Sequence, residues 1–166
     1  SGRYAKPDGT PKPIIAYHNP IFEKEPLPDN CIISDDELDA MPEKFAATAR
    51  LAEECGFDGV DIKACHRYLL CELLSAFTRP GKYGGCLENR TRLLFDAMEA
   101  ARQSCGSDFI VTSRINVYDG FPYPYGFGVN EDGGLEVDLA EPIQLIEKLQ
   151  KSGVKLLNIT MGNPYV

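Results

Sequence analysis

Residues 59–92 read GVDIKACHRYLLCELLSAFTRPGKYGGCLENRTR, and this stretch says more about the fold than any other part of the chain. An apolar run predicts a short strand over residues 57–62, and Lys63, His66 and Tyr68 follow it within six residues. A cation, an imidazole and a phenol just past a strand are typical of α/β folds, whose loops after parallel strands carry the chemistry. A Tyr-Gly-Gly turn then leads into a long amphipathic helix.

Outward from this stretch, helical and strand-like segments alternate. Residues 1–33 are rich in proline and predict a long loop, with at most one short strand at 14–17. Ser34 and the three acids after it form a capping box that starts a helix ending at Gly56, and Pro42 should kink this helix or split off its first turn. The remaining predicted helices cover residues 68–77, 87–102 and 139–151, and the strands cover 57–62, 109–115 and 154–160.

This alternation predicts parallel strands covered by helices, as in doubly wound sheets and (β/α)8 barrels. No strand is followed by a GxGxxG fingerprint, and the long decorated segments all follow strand C-termini, so the pattern favours the TIM (β/α)8 barrel. Three strands cannot close a barrel without leaving unpaired edges. We therefore expect residues 1–166 to be a single internal segment of a larger barrel, with 1–33 as a loop and 34–166 as β/α units.

Composition argues against several classes of protein. The net charge of −8 argues against nucleic-acid binding, which needs a basic surface. No apolar run is long enough for a membrane span and no signal-peptide pattern opens the chain, so neither is predicted. The six cysteines show no metal or redox spacing. We interpret them as ordinary buried thiols of a cytoplasmic protein and predict no metal site.

Each residue of the 63–68 cluster has an ordinary structural interpretation when taken alone. Lys63 could extend to solvent, His66 could be a satisfied structural histidine, and Tyr68 could be a core aromatic with a solvated hydroxyl. Together with Arg67, however, they place several hydrogen-bond donors near one loop of an acidic chain. That combination favours a substrate with a carboxylate or a developing oxyanion, and Tyr68 could supply a proton.

A second candidate lies in the next strand. Arg114 interrupts an otherwise apolar segment, FIVTSRI, and a buried guanidinium needs an acceptor. Either a barrel carboxylate such as Asp61 neutralises it, or it binds the polar headgroup of a ligand. The aromatic run over residues 121–127 is either a substrate-facing loop or a packed surface loop.

These residues resemble the Old Yellow Enzyme family of FMN-dependent ene-reductases. That family shows D-[IL]-H-x-A-[HN]-G-Y-L-L at the end of its fourth strand, followed by N-x-R-x-D-x-Y-G-G-S-x-E-N-R-x-R. This chain reads D-I-K-A-C-H-R-Y-L-L from Asp61 and Y-G-G-C-L-E-N-R-T-R from Tyr83, with Arg79 at the arginine position. Ser1-Gly2-Arg3 is similar to the segment just past the third strand. The resemblance implies a TIM barrel of which this chain supplies about strands four to six.

The resemblance also implies roles for individual residues. Tyr68 matches the tyrosine that protonates the alkene, and His66 matches the second of two donors that hold the substrate oxygen, which makes both catalytic candidates. Lys63 takes the place of the first donor and, with His66, would bind substrate. Arg114 matches the strand-five arginine beside the flavin, which makes it the cofactor-binding candidate.

The chain departs from the family pattern at three positions. Lys63 replaces a histidine, Arg67 replaces the glycine before the tyrosine, and Gly81 replaces an aspartate. The lysine favours a substrate with an acidic or electron-rich group over a neutral enone.

The implied activity is ping-pong: NADH or NADPH reduces FMN, and FMN passes hydride to an activated C=C bond. The partners implied are a small unsaturated substrate and either the rest of the same barrel or a homo-oligomer. Phosphate-binding loops, and any iron–sulfur cluster, would lie outside this segment. Two alternatives remain open: a flavin-dependent amine demethylase of the same family, or a non-enzymatic barrel fragment that self-associates.

Overall fold

The computed structural model describes residues 13–23 and 25–164. In this part of the chain a 3₁₀ turn, Asp29–Cys31, precedes five α-helices and three β-strands. The elements in chain order are α1 (Asp35–Asp39), α2 (Met41–Glu54), β1 (Gly59–Ala64), α3 (Leu69–Leu74), α4 (Leu87–Ser104), β2 (Ile110–Asn116), α5 (Ala140–Lys151) and β3 (Leu157–Thr160).

The start of the first helical region follows the sequence prediction. The Ser34 hydroxyl accepts a hydrogen bond from the Glu37 backbone N–H at 3.2 Å, and the Glu37 carboxylate accepts one from the Ser34 N–H at 2.9 Å. This reciprocal capping box starts α1. Pro42 lies in the first turn of α2, where its missing N–H costs nothing, and the helical region is split into α1 and α2 as predicted.

All three strands begin later than the sequence predicts, β2 by a single residue. The predicted strand 57–62 was wrong at both ends, since β1 covers Gly59–Ala64. Gly56 (φ 84°) and Phe57 form the turn that follows α2, where the Phe57 N–H donates to the Ala52 carbonyl at 3.1 Å. Lys63 therefore lies inside β1 instead of following it. Residues 154–156 likewise precede β3, since the Val154 N–H donates to the Leu149 carbonyl at 3.1 Å and closes α5. The predicted helix 68–77 is shorter at both ends.

The first thirty-three residues are only partly described. Residues 1–12 and 24 lie outside the described part, and so does the expectation for Ser1-Gly2-Arg3. The predicted strand at 14–17 is reduced to one parallel bridge, between Ile15 and Ile32. The rest of the described segment before α1 is loop apart from the 3₁₀ turn, in line with the prediction.

The three strands form one parallel sheet in the order β1-β2-β3, which confirms the predicted topology. Ile62, Ala64, Val111 and Ile115 are buried on one face, where α2 and α4 cover them. Helix α4 contributes the largest share of this core with Leu87, Leu93, Leu94, Ala97, Met98 and Ala101. The described strand residues thus present an apolar face to the helices, as in a barrel wall.

The opposite face of the sheet is polar. Alternation along β1 places Asp61 and Lys63 on this face, and the register sets Lys63 beside Arg114 of β2 and Arg114 beside Asn158 of β3. Successive strand residues point to opposite faces, so one row of three polar residues crosses the sheet. In the described residues β1 and β3 each pair with β2 alone, which leaves both outer edges of the sheet open.

A buried arginine joins the helices at the C-terminal side of the sheet. Arg90 near the start of α4 donates to the carbonyls of Leu74 and Gly85, the latter at 2.7 Å, and also contacts Glu141 at the start of α5. Its guanidinium lies 3.9 Å from the centroid of the Phe77 ring.

No helix in the described part of the chain is long and apolar enough to cross a membrane.

Candidate active site

The candidate site is built around the turn that follows β1. His66 and Arg67 both adopt left-handed backbone conformations, with φ of 58° and 52°. Such conformations cost a residue with a side chain roughly 1–2 kcal/mol each, so two in succession need support from tertiary contacts. The turn reverses the chain and makes Tyr68 the N-cap residue of α3. His66, Arg67 and Tyr68 are therefore held at the C-terminal edge of the sheet.

Lys63 and Tyr68 are in contact. The Lys63 Nζ atom lies 3.9 Å from the centroid of the Tyr68 ring, within the range of a cation–π interaction. Lys63 as a whole is partly buried. An apolar cavity of about 200 Å³ adjoins the pair and is lined also by Ile14, Met41, Phe45, Leu69, Leu70 and Leu93.

The charges of Lys63 and Arg114 act on His66. Burial lowers the pKa of His66 below its ordinary value of 6.5, and the positive charges of Lys63 and Arg114 lower it further. The imidazole is therefore neutral near pH 7, with one nitrogen able to donate a hydrogen bond and the other able to accept one. A neutral donor next to two fixed cations suits the binding of an oxygen atom that gains negative charge.

Arg114 has an unsatisfied hydrogen-bonding group. Its Nε atom is buried and has no partner among the described residues. In the described part of the chain no carboxylate forms an ion pair with Arg114, and Asp61, the internal partner considered from the sequence, is exposed and in register with Thr112 instead. The alternative of an internal ion pair with Asp61 was wrong. A guanidinium on the polar sheet face with an unused donor fits a ligand that brings acceptors, such as the pyrimidine carbonyls of a flavin.

The cysteines only partly match the prediction of buried thiols. All six are free; Cys65 and Cys71 are buried, while Cys55 and Cys86 are exposed. Burial raises the pKa of the Cys65 thiol, so it is not an activated nucleophile. The described residues contain no group of three or more His, Cys, Asp or Glu side chains placed to hold a metal ion.

Sequence reasoning missed the buried partner of Arg67. Its Nη1 atom lies 3.7 Å from the Asp119 carboxylate and donates to the Ser75 hydroxyl at 3.0 Å, and both members of the ion pair are almost fully buried. The signal in the sequence was an arginine at the motif position that is otherwise glycine. Phe121 and Phe127 of the aromatic run are also buried, which favours a packed loop over one open to substrate.

The turn before α4 explains one glycine of the Tyr-Gly-Gly motif. A Cβ atom at Gly84 would lie 2.1 Å from the Arg79 carbonyl oxygen, so only glycine fits there.

Arg79 is buried and binds the carbonyls of Ala16 and Ile33 and the carboxylate of Asp35. A larger cavity of about 690 Å³ adjoins Arg79, on a different part of the surface from Lys63 and Tyr68.

Comparison with known proteins identifies the family. Residues 3–160 match the model of the NADH:flavin oxidoreductase / NADH oxidase family. The chain belongs to this family. The resemblance to Old Yellow Enzyme is thereby confirmed, and the structure is similar to that of an Old Yellow Enzyme from Pichia sp. AKU4542, with 26% identity, a TM-score of 0.58, and coverage of 76% of this chain and 33% of that one.

Two further known proteins are also similar to this chain. The structure of 2-naphthoyl-CoA reductase in complex with 2-naphthoyl-CoA has 26% identity and a TM-score of 0.71, covering 92% of this chain and 22% of that chain. Cinnamate reductase of Clostridium sporogenes is 31% identical over 137 residues, 79% of this chain and 20% of that protein. The chain spans 18% to 43% of the length of the curated relatives it matches. Its parallel sheet and helices are thus a partial segment of the TIM barrel that these relatives imply.

Proposed function

We propose that this chain is part of an FMN-dependent NAD(P)H oxidoreductase and that the complete enzyme reduces an activated C=C bond. This chain would supply strands four to six of the enzyme's barrel. The family assignment supports the cofactor and the reductant. The observation that carries the proposal is the grouping of Lys63, His66, Tyr68 and Arg114 at the C-terminal side of one parallel sheet, where barrels of this kind bind their ligands.

The residues present are suited to holding a flavin. The unpartnered Nε of Arg114 lies on the polar face of the sheet, flanked in register by Lys63 and Asn158. Arg114 would donate to the flavin pyrimidine ring, and its fixed charge would favour the reduced, anionic form. When bound, FMN would supply to the substrate the hydride that it has taken from NADH or NADPH.

Three side chains of this segment would act on the substrate. His66, neutral near pH 7, would donate a hydrogen bond to the oxygen that is conjugated to the double bond. Lys63 would place its ammonium group next to the same oxygen. The Tyr68 hydroxyl would give its proton to the carbon next to the one that receives hydride, and the phenolate left behind would regain a proton from water. The products are a saturated substrate and NAD(P)⁺.

We further propose that activity requires the complete barrel and that the protein works in the cytoplasm. The open edges of β1 and β3 support the first point, since a barrel strand needs a neighbour on each side. We also propose that residues 1–166 form a single segment of the FMN-binding barrel domain.

The test is Tyr68→Phe in the complete protein, with the two half-reactions measured separately by stopped-flow absorbance. Reduction of bound FMN by NAD(P)H should continue at close to the wild-type rate. Reoxidation by 2-cyclohexenone should slow by at least about a hundredfold, the lower range for loss of a general acid. Tyr118→Phe, which removes a hydroxyl bonded to the Leu135 carbonyl at 2.8 Å in the loop after β2, is the matched control.

Equal slowing of both half-reactions by Tyr68→Phe would refute the proton-donor assignment. A protein that binds no flavin would refute the proposed activity as a whole.

A further inference from the structure

A buried ion pair joins the turn that carries His66 and Tyr68 to the loop after β2. The Arg67 side chain is 7% exposed and that of Asp119 is 1% exposed, and Nη1 of Arg67 lies 3.7 Å from Oδ2 of Asp119. The same carboxylate accepts hydrogen bonds from the Phe127 N–H at 2.9 Å and from the Asn116 side chain at 2.6 Å. Burial raises the pKa of Asp119, and the charge of Arg67 opposes that shift. Arg67 is thus the cation that compensates a buried carboxylate.

This network reaches the ends of all three strands. Arg67 follows β1, Asp119 follows β2, and Asn116 is the last residue of β2. The Asn116 side-chain oxygen accepts a hydrogen bond at 3.0 Å from the hydroxyl of Thr160, the last residue of β3. Polar contacts therefore connect the β1 turn to the C-terminal ends of β2 and β3, where strand alternation places Asn116 and Thr160 on the same face as Arg114.

The Arg67 side chain also reaches the loop after β2 directly. Its guanidinium lies 5.0 Å from the Phe22 ring centroid and 5.8 Å from that of Phe121, and Nη1 contacts the Tyr125 carbonyl oxygen at 3.5 Å. The hydrogen bond from Nη1 to Ser75 adds a contact to the residue that ends α3. Asp119, Ser75 and the Tyr125 carbonyl thus all contact the Arg67 side chain, while the Arg67 backbone keeps its left-handed conformation.

We infer that Arg67 is a positioning residue for Tyr68: by pairing with Asp119 it holds the His66–Arg67 turn in the conformation that presents the Tyr68 hydroxyl to substrate. This inference rests on the proposed role of Tyr68 as proton donor. Glycine adopts such backbone angles without strain but adopts many others as readily, so glycine at this position would not fix the turn in one conformation. An arginine at this position carries a backbone penalty, and its buried ion pair compensates for it.

The test is a double-mutant cycle in the complete protein with Arg67→Gly, Tyr68→Phe and the combined variant. Arg67→Gly removes the anchor while relieving the backbone penalty, so a slower reaction cannot be attributed to backbone strain. The measured quantity is the rate at which 2-cyclohexenone reoxidises the reduced flavin. We expect Arg67→Gly to lower this rate at least about tenfold when Tyr68 is present and less than about threefold in the Tyr68→Phe background, because residues that act through one another are not additive.

The same slowing factor in both backgrounds would overturn the inference and leave Arg67 with a purely structural role. If Tyr68→Phe itself does not slow the reaction, the proposed function fails as well, so the two failures are distinguishable. If Arg67→Gly does not yield folded protein, Asp119→Asn completes the same cycle, because it removes the carboxylate charge and keeps the side-chain shape. Slowing by Asp119→Asn only when Tyr68 is present would support the inference, and equal slowing in both backgrounds would overturn it.

Discussion

The ammonium group of Lys63 lies against the face of the Tyr68 ring, with 3.9 Å between Nζ and the ring centroid. A cation–π contact contributes about 0.5–2 kcal/mol, depending on how far it is removed from water. The contact places the lysine over the ring that carries the hydroxyl proposed to donate a proton. An anionic group bound by Lys63 would therefore bring its neighbouring double bond close to Tyr68. This relationship links the choice of substrate to the proton transfer.

Lys63→His in the complete protein should shift substrate preference toward neutral enones. An ammonium is a point charge with three donors, whereas an imidazole near pH 7 is mostly neutral. We expect the ratio of kcat/KM for cinnamate to kcat/KM for 2-cyclohexenone to fall at least about tenfold, or roughly 1.4 kcal/mol. Lys155→His, at an exposed position, is the matched control. An unchanged ratio would show that Lys63 does not contact the substrate.

The pKa values of the two histidines of this chain should be shifted in opposite directions from the ordinary value. His66 has a pKa lowered by burial and then by Lys63 and Arg114, whereas hydrogen bonds to Glu23 and Asp29 raise that of His18. At pH 6.5, NMR spectra assigned with His18→Gln and His66→Gln should show a mostly protonated His18 and a mostly neutral His66. Lys63→Met should raise the His66 midpoint, because it removes a nearby positive charge. A His66 midpoint at or above 6.5 would contradict the structure.

These shifts also set the sign of their effects on stability. His66 is protonated more readily in the unfolded chain, so its contribution to stability falls as the pH drops through 6.5 toward its folded midpoint. His18 contributes stability that is fully present below pH 6.5 and is lost as the pH rises through its raised midpoint. Denaturant unfolding of His66→Gln should therefore depend less on pH below 6.5 than that of the wild type.

Arg114→Met should weaken FMN binding. The unpartnered Nε of Arg114 offers a charge-assisted hydrogen bond to the flavin, and methionine retains much of the apolar volume without a donor. We expect the Kd for FMN, measured by fluorescence quenching, to rise at least about tenfold, which corresponds to roughly 1.4 kcal/mol. The midpoint potential of any retained flavin should fall because the reduced anion loses its cation. Arg102→Met near the end of α4 is the control, and an equal effect there would contradict the assignment.

Arg79→Met should destabilise the fold. The Arg79 side chain is 5% exposed and binds the Ile33 carbonyl at 2.8 Å and the Asp35 carboxylate at 2.7 Å. Removing it leaves buried acceptors unpaired, and we expect a loss of about 2–4 kcal/mol in the free energy of unfolding. Arg50→Met on the exposed side of α2 should change the free energy by less than about 0.5 kcal/mol. Similar values for both variants would show that the Arg79 contacts contribute little.

Residues 1–166 alone should not retain FMN. Phosphate contacts supply much of the anchoring of a mononucleotide, and the family resemblance places the phosphate-binding loops after strands seven and eight. We expect the purified segment to lose absorbance near 450 nm on dialysis, while the complete protein keeps it. A segment that stays yellow would show that Arg114 and its neighbours bind flavin without the phosphate loops.

Local features of the sequence predicted local structure well. The capping box at Ser34 and the position of Pro42 determine where α1 and α2 begin, because both act through hydrogen bonds within one helical turn. The alternation of elements predicted three adjacent parallel strands. The start of β1 was misplaced because the Phe57 N–H bonds to the Ala52 carbonyl in the turn after α2, which the apolar pattern of residues 57–62 does not show.

The candidate residues Lys63, His66, Tyr68 and Arg114 were all named from the sequence, but their relationships were not. Only the sheet register shows that Arg114 lies directly beside Lys63, whereas Asp61 lies opposite Thr112. Only the folded loops bring Asp119 to Arg67. Residue types and short-range spacing are written in the sequence and determine helix caps, strand periodicity and the chemistry available. Which buried charge meets which partner is decided by tertiary structure, because the partners come from segments that become neighbours only when the strands align.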